Sequence, residues 1–180
     1  MRITGGTLTN RRTDVPAGEV RPTMDRVRES VFAVLGDLSG LSFLDLFSGS
    51  ATCALEAFSR GAYPICIVEK DKKKIPVILK NISLADKAID CKFIAAELFI
   101  QRNKIAFDII NIDPPYCYAY YDELLQNLVH SQTVKDGSIM LVQHANETHI
   151  NAPEVLTQID ERMFGRTVVT FFKYNKNQTE

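Results

Sequence analysis

Short apolar runs alternate along the chain with stretches whose apolar residues recur at helical spacing. "FLDLF" (43–47), "ICIVE" (65–69), "CKFIA" (91–95), "FDIINI" (107–112) and "SIMLVQ" (138–143) predict buried strands. Helical patterns lie between them at about 50–60, 71–85, 97–103 and 121–132, with Pro76 either opening the second helix or kinking it. Strands alternating with helices imply right-handed crossovers and a parallel sheet covered on both faces. "ERMFGRTVVTFFKY" (161–174) instead reads as two strands around Gly165, a hairpin closing one edge. The expected fold class is α/β: a mostly parallel, doubly wound sheet with an antiparallel C-terminal hairpin.

The start of the chain differs. Its first twenty residues are rich in Gly, Thr and Arg and contain Pro16, which predicts an extended arm or an irregular hairpin. Thr23 after Pro22 is a candidate N-cap, with Asp25 in the first helical turn. Val27, Val31, Val34, Leu35 and Leu38 share one helix face, leaving Arg26, Arg28 and Glu29 off it, and Gly40 closes the unit. Residues 1–40 are thus expected to form an arm and helix that extend a domain spanning 41–180.

Composition narrows the class. A chain of 180 residues with 46% hydrophobic positions and a net charge of −1 matches one globular domain with a proper core, not a disordered or fibrous protein. No apolar run approaches bilayer length, and "MRITGGTLTNRR" lacks the apolar stretch of a signal peptide. Cys53, Cys66, Cys91 and Cys117 form no C-x-x-C pair, and His130, His144 and His149 show no metal spacing, so no metal is expected and the three histidines read as surface or rim residues. These features predict a cytoplasmic protein. Charge is uneven, however: residues 1–28 carry six arginines against three acids, and Lys70, Lys72, Lys73 and Lys74 cluster later. A solvated face is the plainer reading of any one of them, Lys72–Lys74 above all, but an arginine-rich arm points toward an anionic partner.

In doubly wound sheets ligands bind outside the carboxyl ends of the strands. Three such ends carry distinctive chemistry here. The first runs into "DLFSGSAT", Asp45 to Thr52, where Gly49 and Ser50 let backbone approach a ligand at the start of a helix. The second ends in Glu69, twenty residues beyond Gly49, at the spacing of an acid that accepts from ribose hydroxyls. Taken singly, the first is a poor glycine fingerprint and Glu69 is a surface acid; the spacing raises both.

The fourth strand ends in Asp113-Pro114-Pro115-Tyr116. Proline cannot donate to a sheet ladder and stiffens the residue before it, so the strand must stop on a rigid shelf bearing a carboxylate, a carbonyl and a ring. Such a shelf suits an exocyclic amino group on a nucleobase. Asp113 and the Pro114 carbonyl would accept its two N–H bonds and favour a pyramidal nitrogen, while Tyr116 stacks on the base. In a paired nucleic acid that nucleotide would have to be extruded. Tyr118, Tyr120 and Tyr121 read as rim packing.

These segments resemble a known family. D-P-P-Y after an apolar strand is the signature of S-adenosylmethionine-dependent methyltransferases of exocyclic amino nitrogen. "RITGG" (2–6), "RPTMDRVRESVF" (21–32), "DLFSGSATCALEAFSRGA" (45–62), "IVEKD" (67–71) and "IDPPY" (112–116) follow the order seen in the RsmD-like bacterial 16S rRNA guanine-N2 methyltransferases. The resemblance spans nearly the whole chain and implies a Rossmann-like methyltransferase fold. It also implies S-adenosyl-L-methionine as cofactor and 16S rRNA of the small ribosomal subunit as partner, with guanine 966 the family target. A monomer is the expectation. By the same resemblance, Asp45, Phe47, Gly49 and Ser50 would line the methionine and ribose part of the cofactor site. Glu69 would bind the ribose, with Lys70 and Glu97 near the adenine. Asp113, Pro114 and Tyr116 would hold the target amine. Arg21, Thr23 and Arg26 would border the active site, and Arg11 and Arg12 would grip RNA backbone. The chain departs from the family pattern at Ala51 and Ala54, where glycine is usual, and at Gln143, where glutamate is. An adenine-N6 methyltransferase, since D-P-P-Y serves adenine too, and a catalytically silent nucleic-acid-binding version of the fold are the alternatives.

Overall fold

The structure, a computed structural model, describes residues 1–16 and 22–176, and of residues 22–24 the backbone alone. Arg21 lies outside the described residues, as does the side chain of Thr23. In chain order the elements are α1 (Pro22–Leu35), β1 (Phe43–Leu46), α2 (Thr52–Ser59), β2 (Ile65–Val68), a 3₁₀ turn (Lys72–Lys74) and α3 (Ile75–Ile82). Then come β3 (Asp90–Lys92), α4 (Ala96–Arg102), β4 (Phe107–Ile112), α5 (Tyr121–Val129), β5 (Val134–Ala145), β6 (Leu156–Phe164) and β7 (Thr167–Tyr174).

One seven-stranded sheet has the order β3-β2-β1-β4-β5-β7-β6. The first five strands are parallel, while β7 runs antiparallel to both β5 and β6. The hairpin does close one edge, and β7 is its inner member: six of its eight residues are buried, whereas β6 is largely exposed. Every residue of β1 and β2 is buried, as expected of strands covered on both faces.

Side chains alternate between two cores. Leu44, Leu46, Ile110, Ile112, Met140 and Val142 pack with Phe99 of α4 and Leu124, Leu125 and Leu128 of α5. Phe43, Ile65, Ile67, Ile109 and Leu141 pack with Val27, Val31 and Phe32 of α1, Ala54 and Ala57 of α2 and Ile78 of α3. On this second face the period of two carries the strands from apolar to polar at their carboxyl ends: Phe43 is followed by Asp45, Ile67 by Glu69, Ile109 by Asn111 and then Asp113.

Several boundaries differ from the sequence expectation. Helix α1 opens at Pro22, so Thr23 sits inside its first turn rather than capping it; proline is favoured at a first helical position because its missing N–H has no helical partner there. The helix ends at Leu35 beside Gly36 (φ 72°), before the expected Gly40. Its inner face also holds Phe32, fully buried, while Val34 is 41% exposed. Arg28 is not left off that face: it is 6% exposed, because Glu56 and Asp25 neutralise it. Pro76 starts a helix rather than kinking one. Strand β3 stops at Lys92 because it pairs only with three residues of β2.

The arm is the irregular hairpin of the two forms expected. The Ile3 N–H donates to the Arg11 carbonyl and the Asn10 N–H to the Ile3 carbonyl, both at 2.9 Å. Ile3 is fully buried. Gly6, in "RITGG", has φ 76°, and a Cβ there would stand 1.6 Å from the Ser59 carbonyl oxygen, so no other residue fits.

Candidate active site

Between β1 and α2 the chain turns through Phe47–Ala51, three of whose five residues are left-handed: Phe47 (φ 63°), Gly49 (φ 57°) and Ala51 (φ 59°). Glycine adopts this conformation readily; at Phe47 and Ala51 it costs roughly 1–2 kcal/mol each. The turn is held by its own bonds. The Ser48 N–H donates to the Val68 carbonyl (3.0 Å), its hydroxyl to the Asp45 carbonyl (2.6 Å), and the Ala51 N–H to the Ser48 carbonyl (2.8 Å). A Cβ built on Gly49 would meet no atom within 4 Å, so the loop backbone is laid open to the space beside it.

The twenty-residue spacing between Gly49 and Glu69 becomes a contact. Glu69 Oε2 accepts the Gly49 N–H at 2.9 Å, and Oε1 accepts the Asp71 N–H at 2.8 Å. Lys74 Nζ lies 3.8 Å from Oε2. Each carboxylate oxygen has a further lone pair, so a largely buried acid, fixed by two backbone donors, still has acceptor capacity for a diol.

Beyond β4, Asp113 Oδ1 accepts a hydrogen bond from Gln143 Nε2 at 2.7 Å. Pro114 is buried, and Tyr116 is 54% exposed with its hydroxyl 3.0 Å from Thr167 Oγ1. Tyr118 is the aromatic that packs inward: its ring meets Phe47 edge-on at 5.3 Å and its hydroxyl donates to Glu97 Oε1 at 2.9 Å. Tyr120 is 64% exposed on the rim, and Tyr121 is buried in the α5 core. His130 and His149 are exposed, and His144 is half-buried beside the Tyr121 ring.

A cleft of about 640 Å³ joins these strand ends. Phe47, Gly49, Ser50, Glu69 and Lys70 line it, and so do Asp113, Pro114 and Tyr116. Asp45 and Glu97 do not reach its wall. Asp45 lies beneath, 1% exposed, its Oδ1 accepting from Asn111 Nδ2 at 2.8 Å and its Oδ2 without a partner among the described residues. Burial pushes its carboxyl up to about 7, with Asp113 and Glu69 adding to the rise and the Asn111 amide opposing it. Of the arginines expected to face RNA, Arg11, Arg12 and Arg26 are exposed.

Other lining residues were not assigned to the site from the sequence, where Gln143 stood only as a departure from the family pattern. Met1, Val15, Val27, Val31 and Arg28 bring the arm and α1 to one wall, and Asn111 and Gln143 stand on the floor. Asn111 had a readable signal, an amide two residues before Asp113 in an otherwise apolar strand. The others come from remote segments. The arm is fastened directly to the loop: Thr13 Oγ1 lies 2.8 Å from Thr52 Oγ1, which lies 2.8 Å from Ser50 Oγ. Asn81 of α3, 2% exposed, donates to the carbonyls of Asp14 and Ser50 and accepts the Asp14 N–H.

Known proteins resemble this chain in sequence and in fold. The chain is 27% identical over 176 residues to ribosomal RNA small subunit methyltransferase D of Haemophilus influenzae, covering 92% of this chain and 89% of that one. The structure of yhhF from Escherichia coli superposes with a TM-score of 0.89 at 25% identity, over 97% of this chain and 98% of the other. SMU.776, solved in complex with SAH, shares the fold at 16% identity and a TM-score of 0.69, over 86% of this chain and 50% of its own. The family model described as conserved hypothetical protein 95 matches residues 1–173, and the chain belongs to that family.

Proposed function

We propose that the protein methylates the exocyclic N2 amino group of a guanine in 16S rRNA, with S-adenosylmethionine as donor. One observation carries the reading: a loop tied to Glu69 and the Asp113–Tyr116 shelf open into the same cleft. A nucleoside cofactor and an amino-bearing base would therefore meet there. The relative from Haemophilus influenzae carries a small-subunit rRNA methyltransferase name, and SMU.776 was solved with SAH, the demethylated form of this cofactor.

The residues fit the cofactor. Gly49 presents bare backbone to open space, Glu69 offers acceptor oxygens to a ribose, and Phe47 offers a ring face. Lys70 and Glu97, the latter held by Tyr118, would lie toward the adenine, and Asp45, below the floor, would act on the cofactor side through Asn111. When bound, S-adenosylmethionine supplies a methyl group on a sulfonium centre. Asp113 and the Pro114 carbonyl accept the N–H bonds of the target amine, which directs its lone pair toward that methyl. Tyr116 holds the base flat. The work is orientation and electrostatic stabilisation.

Residues 1–40 would form the RNA-facing side. Arg11, Arg12 and Arg26, exposed there, would contact phosphates, together with Arg21 and Thr23. The substrate would bind to a monomer.

The test is methyl transfer from labelled S-adenosylmethionine to small ribosomal subunits lacking the modification, with nucleoside mass spectrometry. The expected product is N2-methylguanosine, lost in Asp113→Ala. N6-methyladenosine would instead make the protein an adenine methyltransferase. No methylated nucleoside, together with no cofactor binding, would leave a silent nucleic-acid-binding fold.

A further inference from the structure

Strands β5 and β7, neighbours in the sheet, each place a polar side chain against the D-P-P-Y shelf. From β5, Gln143 Nε2 donates to Asp113 Oδ1 at 2.7 Å. From β7, Thr167 Oγ1 lies 3.0 Å from the Tyr116 hydroxyl. These supports belong to one patch, because the two strands are paired with Gln143 opposite Val169 and Ala145 opposite Thr167. Both are themselves held. The Gln143 carbonyl accepts the Tyr121 hydroxyl at 3.2 Å, and Thr167 is 6% exposed.

The residue types suit the task. A carboxylate turns easily about its terminal torsion, and it can only accept, so a fixed donor selects one orientation. A neutral amide supplies that donor without adding charge to a rim that already holds Glu69 and Asp113. The Tyr116 ring is more than half exposed, and a bond at its hydroxyl restrains the tilt of the face offered to a base.

We infer that Gln143 and Thr167 are positioning residues of the reaction, Gln143 orienting the Asp113 carboxylate and Thr167 setting the tilt of the Tyr116 ring. The inference rests on the methyl-transfer reading above. The geometry of the shelf is then set by β5 and β7 as well as by the two prolines, and a base enters between groups already in place.

The experiment compares wild type, Gln143→Met, Thr167→Val, Tyr116→Phe and the Tyr116→Phe/Thr167→Val double variant. Each is assayed on small subunits lacking the mark for kcat, for KM of cofactor and of subunit, and for thermal midpoint. Gln143→Met is expected to lower kcat about ten- to a hundredfold, with both KM values within about threefold of wild type. Thr167→Val and Tyr116→Phe are each expected to lower kcat about three- to tenfold, and the double variant no further than either single change, because both remove the same bond. The Thr167 arm stands even if Gln143→Met does not fold. A Gln143→Met enzyme that keeps its kcat, or loses only KM or thermal midpoint, overturns the role of Gln143. Losses that multiply in the double variant overturn the role of Thr167. A wild type that methylates nothing under these conditions sinks the functional reading itself, which is a different outcome from an active wild type with unaffected variants.

Discussion

Arg28 of α1 and Glu56 of α2 meet at 3.2 Å, with side-chain exposures of 6% and 0%. Glu56 is the centre of a buried knot. Its Oε1 takes the Arg60 Nε–H at 2.9 Å and the Thr4 hydroxyl at 2.6 Å, and its Oε2 takes the Thr4 N–H at 2.8 Å. One acid thus joins the arm, α1 and α2. Replacing Glu56 with Ala leaves Arg28 buried without this partner, which should destabilise the protein by about 3–5 kcal/mol. Urea unfolding measures it, and a loss below about 1 kcal/mol would show that the knot relaxes into water.

Ala51 gives a change in the opposite direction. It stands left-handed, at φ 59°. Ala51→Gly removes a strain of roughly 1–2 kcal/mol but frees the unfolded chain by about 0.4–1 kcal/mol, so a net gain of up to about 1.6 kcal/mol is expected. The check is a rise in thermal midpoint; a fall would mean that packing of the buried methyl outweighs the strain.

Burial pushes the Asp45 carboxyl up to about 7, from an ordinary 3.8. A raised acid keeps its proton in the folded state over a range where the unfolded chain has lost it. Stability from this group is therefore fully present below pH 4 and is lost as pH rises toward 7. Asp45→Asn should flatten the fall in unfolding free energy between pH 4 and pH 7 relative to wild type. Parallel pH curves for the two proteins would place the titration elsewhere.

Asn81 links α3, the arm and the turn between β1 and α2 through three hydrogen bonds. Asn81→Leu leaves the Ser50 and Asp14 backbone groups to find other partners, at a cost of about 1–3 kcal/mol. Because Ser50 lines the cleft, the dissociation constant for S-adenosylhomocysteine, read by calorimetry, should rise about tenfold. An unchanged affinity would mean that the loop holds its shape without the arm.

The sequence by itself determined the layered α/β sheet and three of its strand ends. Short apolar runs between helical patterns and the two prolines are local properties, and they decide where "DLFSGSAT", Glu69 and Asp113–Tyr116 lie and that they share a rim. The Gly49–Glu69 pairing was legible as a spacing because a β-α-β unit has a nearly fixed length. Tertiary structure decided what no local pattern holds. Arg28, read as a solvated charge, is buried because Glu56 on another helix neutralises it. Asp45 lies under the floor rather than in the cleft because Asn111 covers it from the neighbouring strand. Gln143 reaches the shelf because β5 pairs with β4, Val142 opposite Ile112, and Thr167 because β7 slots between β5 and β6. Each depends on which segment ends up beside which, and that is set by the balance of burial and pairing across the whole chain.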